Sequence, residues 1–585
     1  MNKLSLFRHY TKFLIAAFLL LNIQVLALAE SKNAKRNLSD YLSRASAYGF
    51  SGQVLIAENG KILLNQAFGY ADKERRIENT ANTVFNIASF TKQFTATAVL
   101  RLEADGKLKT SDTIGKYLES IPADKLNITV HQLLTHNSGL SHGSDGKKNT
   151  TRDETVAKIL AQPLAAKAGE RFIYSNSGYQ LLAAIIEKVS GQTFASYLTE
   201  KMFKPAGMSQ TGFYQDDRWK SYPVAQTYNE WTKLAAFTEW NKGWNYGTGS
   251  IVSNTNDLYK WFSALSAGKI LPPEKKEKLF QKYTASSDED TSYGYGWFIR
   301  KLSNGKTLIY HGGDNPGYHS EFRWYVEDKR LIVVLANYEM LEPDGVAVQK
   351  RIIAANLNRI LSGEDYKQPL SFIKHSAEEL KKYEGDYELV GGARFKVSCD
   401  GIRLNISAEG QEAINALAGY EGDAARKYSE ANDLTEFIIK NLTAGEKEKI
   451  KSRMSLDEYD FIIPFLAKEI EDFKKKLGEL KEAKVQGTTA FPWDANNYRT
   501  NVLLKFEKGT TDFYLGWDGG KLNDLTTETG RPFPLIMPLA AQSKTEFSAY
   551  EFINAKLVPI NFSLGTKVSG LSIKYQDREL QAKKL

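Results

Sequence analysis

Strand-like segments stand at both ends of the first part of the chain, with helical patterns between them. The first two strands, 52–57 and 61–69, flank the hairpin signal Asn59-Gly60. Four more strands are predicted at the other end, at 295–300, 307–310, 320–326 and 330–337, and a helix over 345–361 follows them. Because a sheet must bury a face against another layer, this order predicts an α+β fold in which both ends of the segment form one sheet packed on helices.

The tetrad Ser89-Phe90-Thr91-Lys92 opens the helical pattern that follows an apolar run. A serine and a lysine three positions apart lie on one face of a helix, one turn apart. A hydroxyl at a helix start also lies in the positive end of the helix dipole, and serine needs a neighbouring base to act as a nucleophile. Lys92 can be that base or can hold another base deprotonated. Ser89 is therefore a candidate nucleophile, although a buried helix start with a solvated lysine fits the same pattern.

Length and composition bound the class of protein. At 585 residues the chain exceeds one ordinary hydrophobic core, so we expect two or more domains. The net charge of +8 is spread along the sequence, without a basic block interleaved with aromatic residues, which argues against a nucleic-acid partner. Cys399 is the only cysteine, so the chain must fold without an internal disulfide.

Residues 1–29 have the three parts of a secretory signal peptide. A basic region precedes an apolar stretch over 13–29, which ends in the small-residue pattern Ala27-Leu28-Ala29. We expect cleavage there, export to the periplasm or the outside of the cell, and no stable membrane span afterwards. An uncleaved anchor is the alternative, because the apolar run approaches the length that spans a bilayer.

The pattern changes near Lys367. Short segments at 383–387, 394–399 and 402–407 alternate apolar and polar residues, as strands of an antiparallel sheet or barrel do. A charged helical pattern follows over 428–483, and strands resume from 501. We predict a first domain over 30–363 and a β-rich region over 364–585, interrupted by an α+β insertion at about 420–528. No catalytic cluster stands out in this half, so a spacing or binding role is the default.

Two further segments of the first domain carry chemistry. Tyr174-Ser175-Asn176 places a phenol that can accept and return a serine proton beside an amide that can hold a substrate carbonyl. Read alone, a packed tyrosine with a helix-capping asparagine is the simpler interpretation. His311-Gly312-Gly313-Asp314 follows a predicted strand, where glycine leaves room for a substrate backbone. The Asp314 amide can then join that of Ser89 as an oxyanion hole, although a plain glycine turn is again the simpler interpretation.

Together and in this order, the three segments resemble the serine β-lactamase and penicillin-binding family, in its branch of class C β-lactamases and DD-peptidases. The resemblance covers about 40–360 and extends to the segments 128–140 and 247–258. It implies a β-lactamase/transpeptidase-like sheet with helices for the first domain. It also implies attack on a carbonyl, an acyl-enzyme and transfer to water, with neither a metal nor a cofactor.

The resemblance also implies a role for each residue. Ser89 is the acylated nucleophile, Lys92 and Tyr174 share the proton transfer, and Asn176 positions the substrate amide. The binding segment is His311 to Asp314, in which Gly313 ends the family's third motif. If a tyrosine phenolate were the base, its pKa would have to fall by about three units, which requires about 4 kcal/mol.

His311 stands where many relatives have a lysine. A histidine titrates near pH 6.5, so we expect His311 to be mostly neutral above neutrality and Lys92 to be the only permanent cation in the site. On this expectation, His311→Lys changes the acid limb of the pH–rate profile. The histidine in place of the family's lysine disfavours a dedicated β-lactamase without excluding one.

Several functions stay open at this stage. The leading hypothesis is an exported serine hydrolase acting on a small amide or ester substrate such as a D-amino-acid peptide. A carboxylesterase and a weak β-lactamase are alternatives, and a sensor that is acylated without turning over is an alternative of another class. Gly139-Leu140-Ser141-His142-Gly143 fits the nucleophile elbow of α/β-hydrolases, but that elbow needs a strand before it and a helix after it. The sequence leaves the oligomeric state open.

Overall fold

The fold is described from a computed structural model. It describes residues 34–143, 150–214, 216–227, 244–286, 290–315, 317–338, 348–369, 371–399, 401, 403–491, 494–526, 536–551, 556–575 and 577–585. The predicted signal peptide, 1–29, lies outside these residues. None of the described helices combines the length and the apolar character that crossing a membrane requires.

An eight-stranded antiparallel sheet joins the two ends of the first part of the chain. Its strands, in spatial order, are Lys61–Phe68, Gly52–Glu58, Arg330–Ala336, Tyr318–Tyr325, Thr307–Asn315, Phe298–Lys301, Thr291–Tyr293 and Thr284–Ala285. The N-terminal strand Gly52–Glu58 pairs along its whole length with Arg330–Ala336. The predicted sheet from both ends, and with it the α+β fold class, is confirmed.

Helices cover both faces of this sheet because its central strands are apolar on both faces. Alternate residues of Gly52–Glu58 point to opposite sides: Leu55 packs in the core with Phe90 and Phe94, whereas Val54 packs against a helix over 34–47. The helix Val348–Ser362 joins that second core. The fold is therefore a three-layer structure, with the Ser89 segment on one face of the sheet and the terminal helices on the other.

The helical side is built around the helix Thr91–Ala104, which we call the serine helix. Its first ten residues, up to Leu100, are all buried, so it is a central helix and not a surface helix with one apolar face. The other helices on this side are Val130–Leu134, Arg152–Ala161, Asn176–Ser190, Phe194–Leu198, Lys204–Ala206, Thr255–Ser266 and Pro273–Leu279, and a π-helical segment over Thr199–Phe203 joins two of them.

Two strand predictions near the site are wrong in their limits. The strand predicted at 295–300 begins only at Phe298, because the chain turns at Gly296, whose φ is +78°. The strand predicted to end at Tyr310 continues to Asn315, so His311 to Asp314 lie inside it and do not follow it. We call Thr307–Asn315 the His311 strand. Its pairing with Phe298–Lys301 ends at Tyr310, which leaves that edge open to the serine helix.

The second half contains a closed barrel with an insertion. The barrel strands are Gly385–Leu389, Arg394–Cys399, Leu404–Glu409, Ile536–Ala541, Glu546–Glu551, Lys556–Leu564, Val568–Tyr575 and Arg578–Lys584, and the first pairs with the last. Helices Gln411–Ala418, Gly422–Thr443, Lys447–Lys451 and Leu456–Leu477 and the sheet strands Leu480–Phe491, Asp494–Phe506, Gly509–Asp518 and Lys521–Thr526 come between the third and fourth barrel strands. The β-rich character is confirmed, while the exact domain limits stay predictions.

The prediction that strands resume only at 501 is wrong. Leu480–Phe491 is already a strand at the edge of the inserted sheet. Its first residues include Lys481, Glu482 and Lys484, which are exposed and charged. An exposed edge strand with charged residues lacks the apolar alternation that would distinguish it from a solvated helix.

The ring of Phe90 supplies a test of the core beneath Ser89. It is fully buried, and its centroid lies 4.9 Å from that of Phe322. We predict that Phe90→Ala lowers the free energy of unfolding by about 3–5 kcal/mol, the usual range for a buried phenylalanine. Phe465, which is 47% exposed, is the matched control, and Phe465→Ala should cost less than about 1 kcal/mol. Equal midpoints of urea unfolding for the two variants would contradict this packing.

Candidate active site

Ser89 lies in a tight turn between a short strand and the serine helix. The strand Phe85–Asn86 leads into a 3₁₀ turn, Ala88–Phe90, and the α-helix begins only at Thr91. Ala88 has a φ of +47°, a conformation unusual for a residue with a side chain, and its amide donates to Asn86 Oδ1 at 2.9 Å. The turn places Ser89 just before the helix and not as its first residue.

The amine of Lys92 reaches three oxygen atoms from three separate segments. Its Nζ lies 3.1 Å from Ser89 Oγ, 2.7 Å from Asn176 Oδ1 and 3.2 Å from the Thr248 carbonyl. Lys92 is fully buried, and burial lowers the pKa of its amine well below the usual value. A neutral amine has two N–H groups and one lone pair. It can therefore donate to Asn176 and Thr248 and accept the hydroxyl proton of Ser89.

Tyr174 closes the other side of Ser89. Its hydroxyl is hydrogen-bonded to Ser89, and its ring faces Lys92, with Nζ 4.8 Å from the ring centroid. Burial raises the pKa of Tyr174 above its usual value, and the charge of Asp314 acts in the same direction. Burial thus opposes the pKa decrease that a phenolate base requires. Tyr174 is a neutral phenol that can pass a proton on.

A buried histidine that sequence reasoning did not single out holds the Tyr174 turn. His136 Nδ1 accepts the amide hydrogen of Ser175 at 2.9 Å, and its ring centroid lies 4.3 Å from that of Tyr174. Burial lowers the pKa of His136 well below its usual value, so the ring is neutral. The only signal in the sequence was its place in the segment 128–140, where nothing assigns it a partner.

The side-chain amide of Asn176 directs its oxygen and its nitrogen to different sides. Its Oδ1 accepts from Lys92, so Nδ2 points outwards, where it lies 3.4 Å from Nε2 of the exposed residue His142. His142 Nδ1 lies 3.2 Å from the Tyr174 carbonyl. The helix cap is Ser175, whose Oγ accepts the Gly178 amide hydrogen at 3.1 Å. The capping interpretation therefore applies to Ser175, and the Asn176 amide is available to a substrate carbonyl.

His311 borders the site as a neutral, buried side chain. Its Nδ1 donates to the Gly312 carbonyl at 2.6 Å, and its Nε2 accepts from the Tyr293 hydroxyl at 3.1 Å. Burial is the main cause that lowers the pKa of His311 to about 3, and the charge of Lys350 acts in the same direction. The expectation that it titrates near pH 6.5 is wrong, because burial disfavours the charged imidazole more than the nearby Asp314 carboxylate favours it.

The His311 strand approaches the Ser89 turn at Gly313. A Cβ at this position would lie 2.8 Å from the Ser89 amide nitrogen and 2.4 Å from the Ile87 carbonyl, so only glycine fits. Gly313 thus lets the strand approach the Ser89 amide closely, and Asp314 is the next residue of that strand. The structure brings together all the predicted site residues: Ser89, Lys92, Tyr174, Asn176, His311, Gly313 and Asp314.

The Asp314 side chain faces a lysine that the sequence analysis missed. Lys350 Nζ lies 2.6 Å from Asp314 Oδ1 and donates to the Gly313 carbonyl at 2.8 Å. The expectation that Lys92 is the only permanent cation is therefore wrong. Lys350 comes from the helix Val348–Ser362, and nothing in the sequence pairs this position with the His311 strand.

The alternative nucleophile Ser141 lacks the surroundings of a nucleophile elbow. It lies in irregular chain, its Oγ donates to Gln162 Oε1 at 3.3 Å, and its carbonyl accepts from Ser175 Oγ at 2.7 Å. Neither contact supplies a base. Ser141 holds the Tyr174 turn through its backbone.

Known proteins resemble this chain in sequence and in fold. The family model described as Beta-lactamase matches residues 36–357. The chain is similar to Penicillin-binding protein 4* of Bacillus subtilis (strain 168), with 29% identity over 402 residues that cover 64% of this chain and 87% of that protein. The solved structure of the octameric penicillin-binding protein homologue from Pyrococcus abyssi matches with a TM-score of 0.50 and 22% identity, over 93% of this chain and 99% of that one.

The match to the Pyrococcus abyssi structure covers 93% of this chain, so the shared fold includes the C-terminal half. The family match covers more than half of the chain and contains every residue of the candidate site. The chain belongs to the beta-lactamase family.

Proposed function

We propose that this protein is an exported serine hydrolase that cleaves an amide or ester through an acyl-enzyme on Ser89, with a D-amino-acid peptide as its substrate class. The observation that supports this most is the buried Lys92 amine 3.1 Å from Ser89 Oγ. A serine hydroxyl becomes a nucleophile only when a base takes its proton, and burial provides such a base in its neutral form.

Acylation begins when Ser89 Oγ attacks the substrate carbonyl and its proton moves to Lys92 Nζ. The carbonyl oxygen becomes an oxyanion that the amides of Ser89 and Asp314 bind. Tyr174 then gives its phenol proton to the leaving group, and the proton held by Lys92 replaces it. The net result is transfer of the serine proton to the leaving group. Water repeats the sequence on the acyl-enzyme and releases the acid.

Asn176 and the His311 strand position the substrate in this proposal. Asn176 Nδ2 points outwards and can donate to a substrate carbonyl, since its Oδ1 is held by Lys92. The open edge of the His311 strand beyond Tyr310 can accept an extended substrate backbone. Both contacts suit a peptide-like substrate, and the similarity to a penicillin-binding protein supports the same class.

A carboxylesterase, or an amidase acting on uncharged substrates, is the second candidate. Among the described residues of the His311 strand edge, the position that carries lysine in many relatives is a neutral histidine, and Lys350 is fully buried. Neither residue offers an exposed cation to a substrate carboxylate. This observation favours a substrate that lacks a carboxylate next to the scissile bond, and it disfavours a dedicated β-lactamase.

Export rests on the sequence of residues 1–29, which lie outside the described part of the chain. A basic region, an apolar stretch and an Ala-x-Ala end support a periplasmic or secreted location. Cell-wall peptides containing D-amino acids lie in the same place, which agrees with the proposed substrate class.

Turnover separates an enzyme from an acylated sensor. We predict that the wild-type protein cycles on at least one of a D-Ala-D-Ala peptide, a D-amino-acid amide or a short ester, and that Ser89→Ala reduces kcat by at least about 10⁴-fold. Ser141→Ala is the matched control and should keep activity within about twofold, because Ser141 holds the Tyr174 turn through its backbone carbonyl. Stoichiometric labelling of Ser89 without product release would show a sensor instead.

We expect protonation of Lys92 to cause the acid limb of the pH–rate profile. Activity requires the neutral amine, so kcat/KM falls as the pH drops through the lowered pKa of Lys92 and Lys92 becomes protonated. His311 has a pKa of about 3. It therefore stays neutral over the range of about pH 5 to 9 in which activity would be measured.

We therefore predict that His311→Gln, which can still accept from the Tyr293 hydroxyl, leaves the midpoint of the acid limb within about 0.3 units. His311→Lys adds a cation beside Lys92 and should move that midpoint to lower pH, since like charges disfavour protonation of Lys92. A shift of one unit or more in His311→Gln would assign the limb to His311.

A further inference from the structure

Lys350 is a buried cation that the proposed reaction does not use. It lies on the helix Val348–Ser362, behind the His311 strand, and its side chain has no exposed surface. Taking an ammonium group out of water is costly unless charged and polar partners replace the water. The partners of Lys350 are the Asp314 carboxylate at 2.6 Å and the Gly313 carbonyl at 2.8 Å. Both belong to the segment that approaches Ser89.

The Gly313 carbonyl belongs to the same peptide unit as the Asp314 amide. In a trans peptide the C=O and N–H bonds point in opposite directions, and the chain contains no cis peptide in its described part. An ammonium that binds the Gly313 oxygen from behind therefore turns the Asp314 N–H towards the Ser89 side. A cation on the carbonyl also polarises the peptide and makes its N–H a stronger donor.

The surrounding charges hold Lys350 in this place. Asp314 Oδ1 also accepts from His319 Nδ1 at 2.8 Å, which fixes the carboxylate from a second side. On the neighbouring strand Glu321 is paired with Arg323 at 2.7 Å. Burial lowers the pKa of Lys350, the charges of Asp314 and Glu321 partly offset that effect, and Lys350 in turn lowers the pKa of Asp314. The 2.6 Å contact joins the amine and the carboxylate as an ion pair behind the strand.

Lys350 does not reach the substrate, because it has no exposed surface and its amine is occupied by the strand. We propose that Lys350 is a positioning residue for the oxyanion hole, orienting and polarising the Gly313–Asp314 peptide from behind. This inference rests on the proposed function only in assuming that Ser89 is the nucleophile and is acylated next to that amide. It predicts an effect on the transition state and little effect on substrate binding.

The test is the rate at which a fluorophosphonate labels Ser89, because its phosphonyl oxygen enters the oxyanion hole during the reaction. Lys350→Met should slow labelling by about 10- to 100-fold, somewhat less than the full loss of one oxyanion donor. Lys350→Arg keeps the cation and should stay within about fivefold of wild type. On a turned-over substrate, Lys350→Met should lower kcat while KM changes by less than about threefold.

Lys125 provides the matched control. Its side chain is 3% exposed and its Nζ pairs with Asp124 at 2.7 Å, outside the site. Lys125→Met should leave the labelling rate unchanged, which separates a specific effect from the general loss of a buried lysine.

If Lys350→Met does not fold, the variant Lys350→Gln tests the proposal instead. Its shorter side chain cannot hold both Gly313 and Asp314, so we expect labelling about tenfold slower than wild type.

The two hypotheses fail in different ways. If Ser89→Ala is labelled as fast as wild type, Ser89 is not the nucleophile and the proposed function fails. If wild type is labelled at Ser89 and a folded Lys350→Met or Lys350→Gln is labelled equally fast, the positioning role of Lys350 is wrong while the proposed function stands.

Discussion

The burial of one amine, that of Lys92, organises the first domain. Its Nζ is the point where the serine helix, the Tyr174–Asn176 turn and the Gly247–Thr248 segment meet. Its three oxygen contacts come from a hydroxyl, an amide and a backbone carbonyl, none of which carries a negative charge. Burial lowers the pKa of the amine and favours the neutral form, and donation to Asn176 and Thr248 leaves the lone pair for Ser89. Burying the amine in its neutral form thus also supplies the base that the reaction requires.

Two glycines let the sheet and the serine helix approach closely enough to enclose that amine. A Cβ on Gly296 would lie 2.8 Å from the Gln93 Cα, and a Cβ on Gly313 would lie 2.8 Å from the Ser89 amide nitrogen. The first glycine allows the turn before Phe298–Lys301 to pack on the helix start. The second allows the His311 strand to place its peptide beside Ser89. On the far side, Lys350 holds that peptide, so both faces of the strand contribute to the site.

Much of the fold and of the site could be predicted from the sequence because the signals are local. The strand periodicity at both ends of the domain predicts the joined sheet, and the order of the Ser89, Tyr174 and His311 segments identifies which residues meet. The ionisation of those residues could not be predicted, since it depends on burial. Lys92 and His311 were expected to be a permanent cation and a group titrating near neutrality, and the tertiary structure excludes water from both.

The roles of His136 and Lys350 could not be predicted from the sequence for a different reason. His136 and Lys350 act through backbone groups of distant segments, the Ser175 amide and the Gly313 carbonyl. A hydrogen bond to a backbone atom leaves no complementary residue type in the sequence, so no spacing reveals it. The charged start of Leu480–Phe491 was misread for a related reason, since an exposed edge strand needs few apolar residues.

The protonation state of Lys92 tests this account most directly. Protein labelled with ¹³C at lysine Cε can be titrated by NMR, and the Lys92 signal is assigned by its absence in Lys92→Arg. The account predicts that this signal titrates well below the usual lysine value, so that the amine is neutral at the pH at which the protein is active. A Lys92 signal that stays in its charged position up to about pH 10, the usual lysine range, would contradict it.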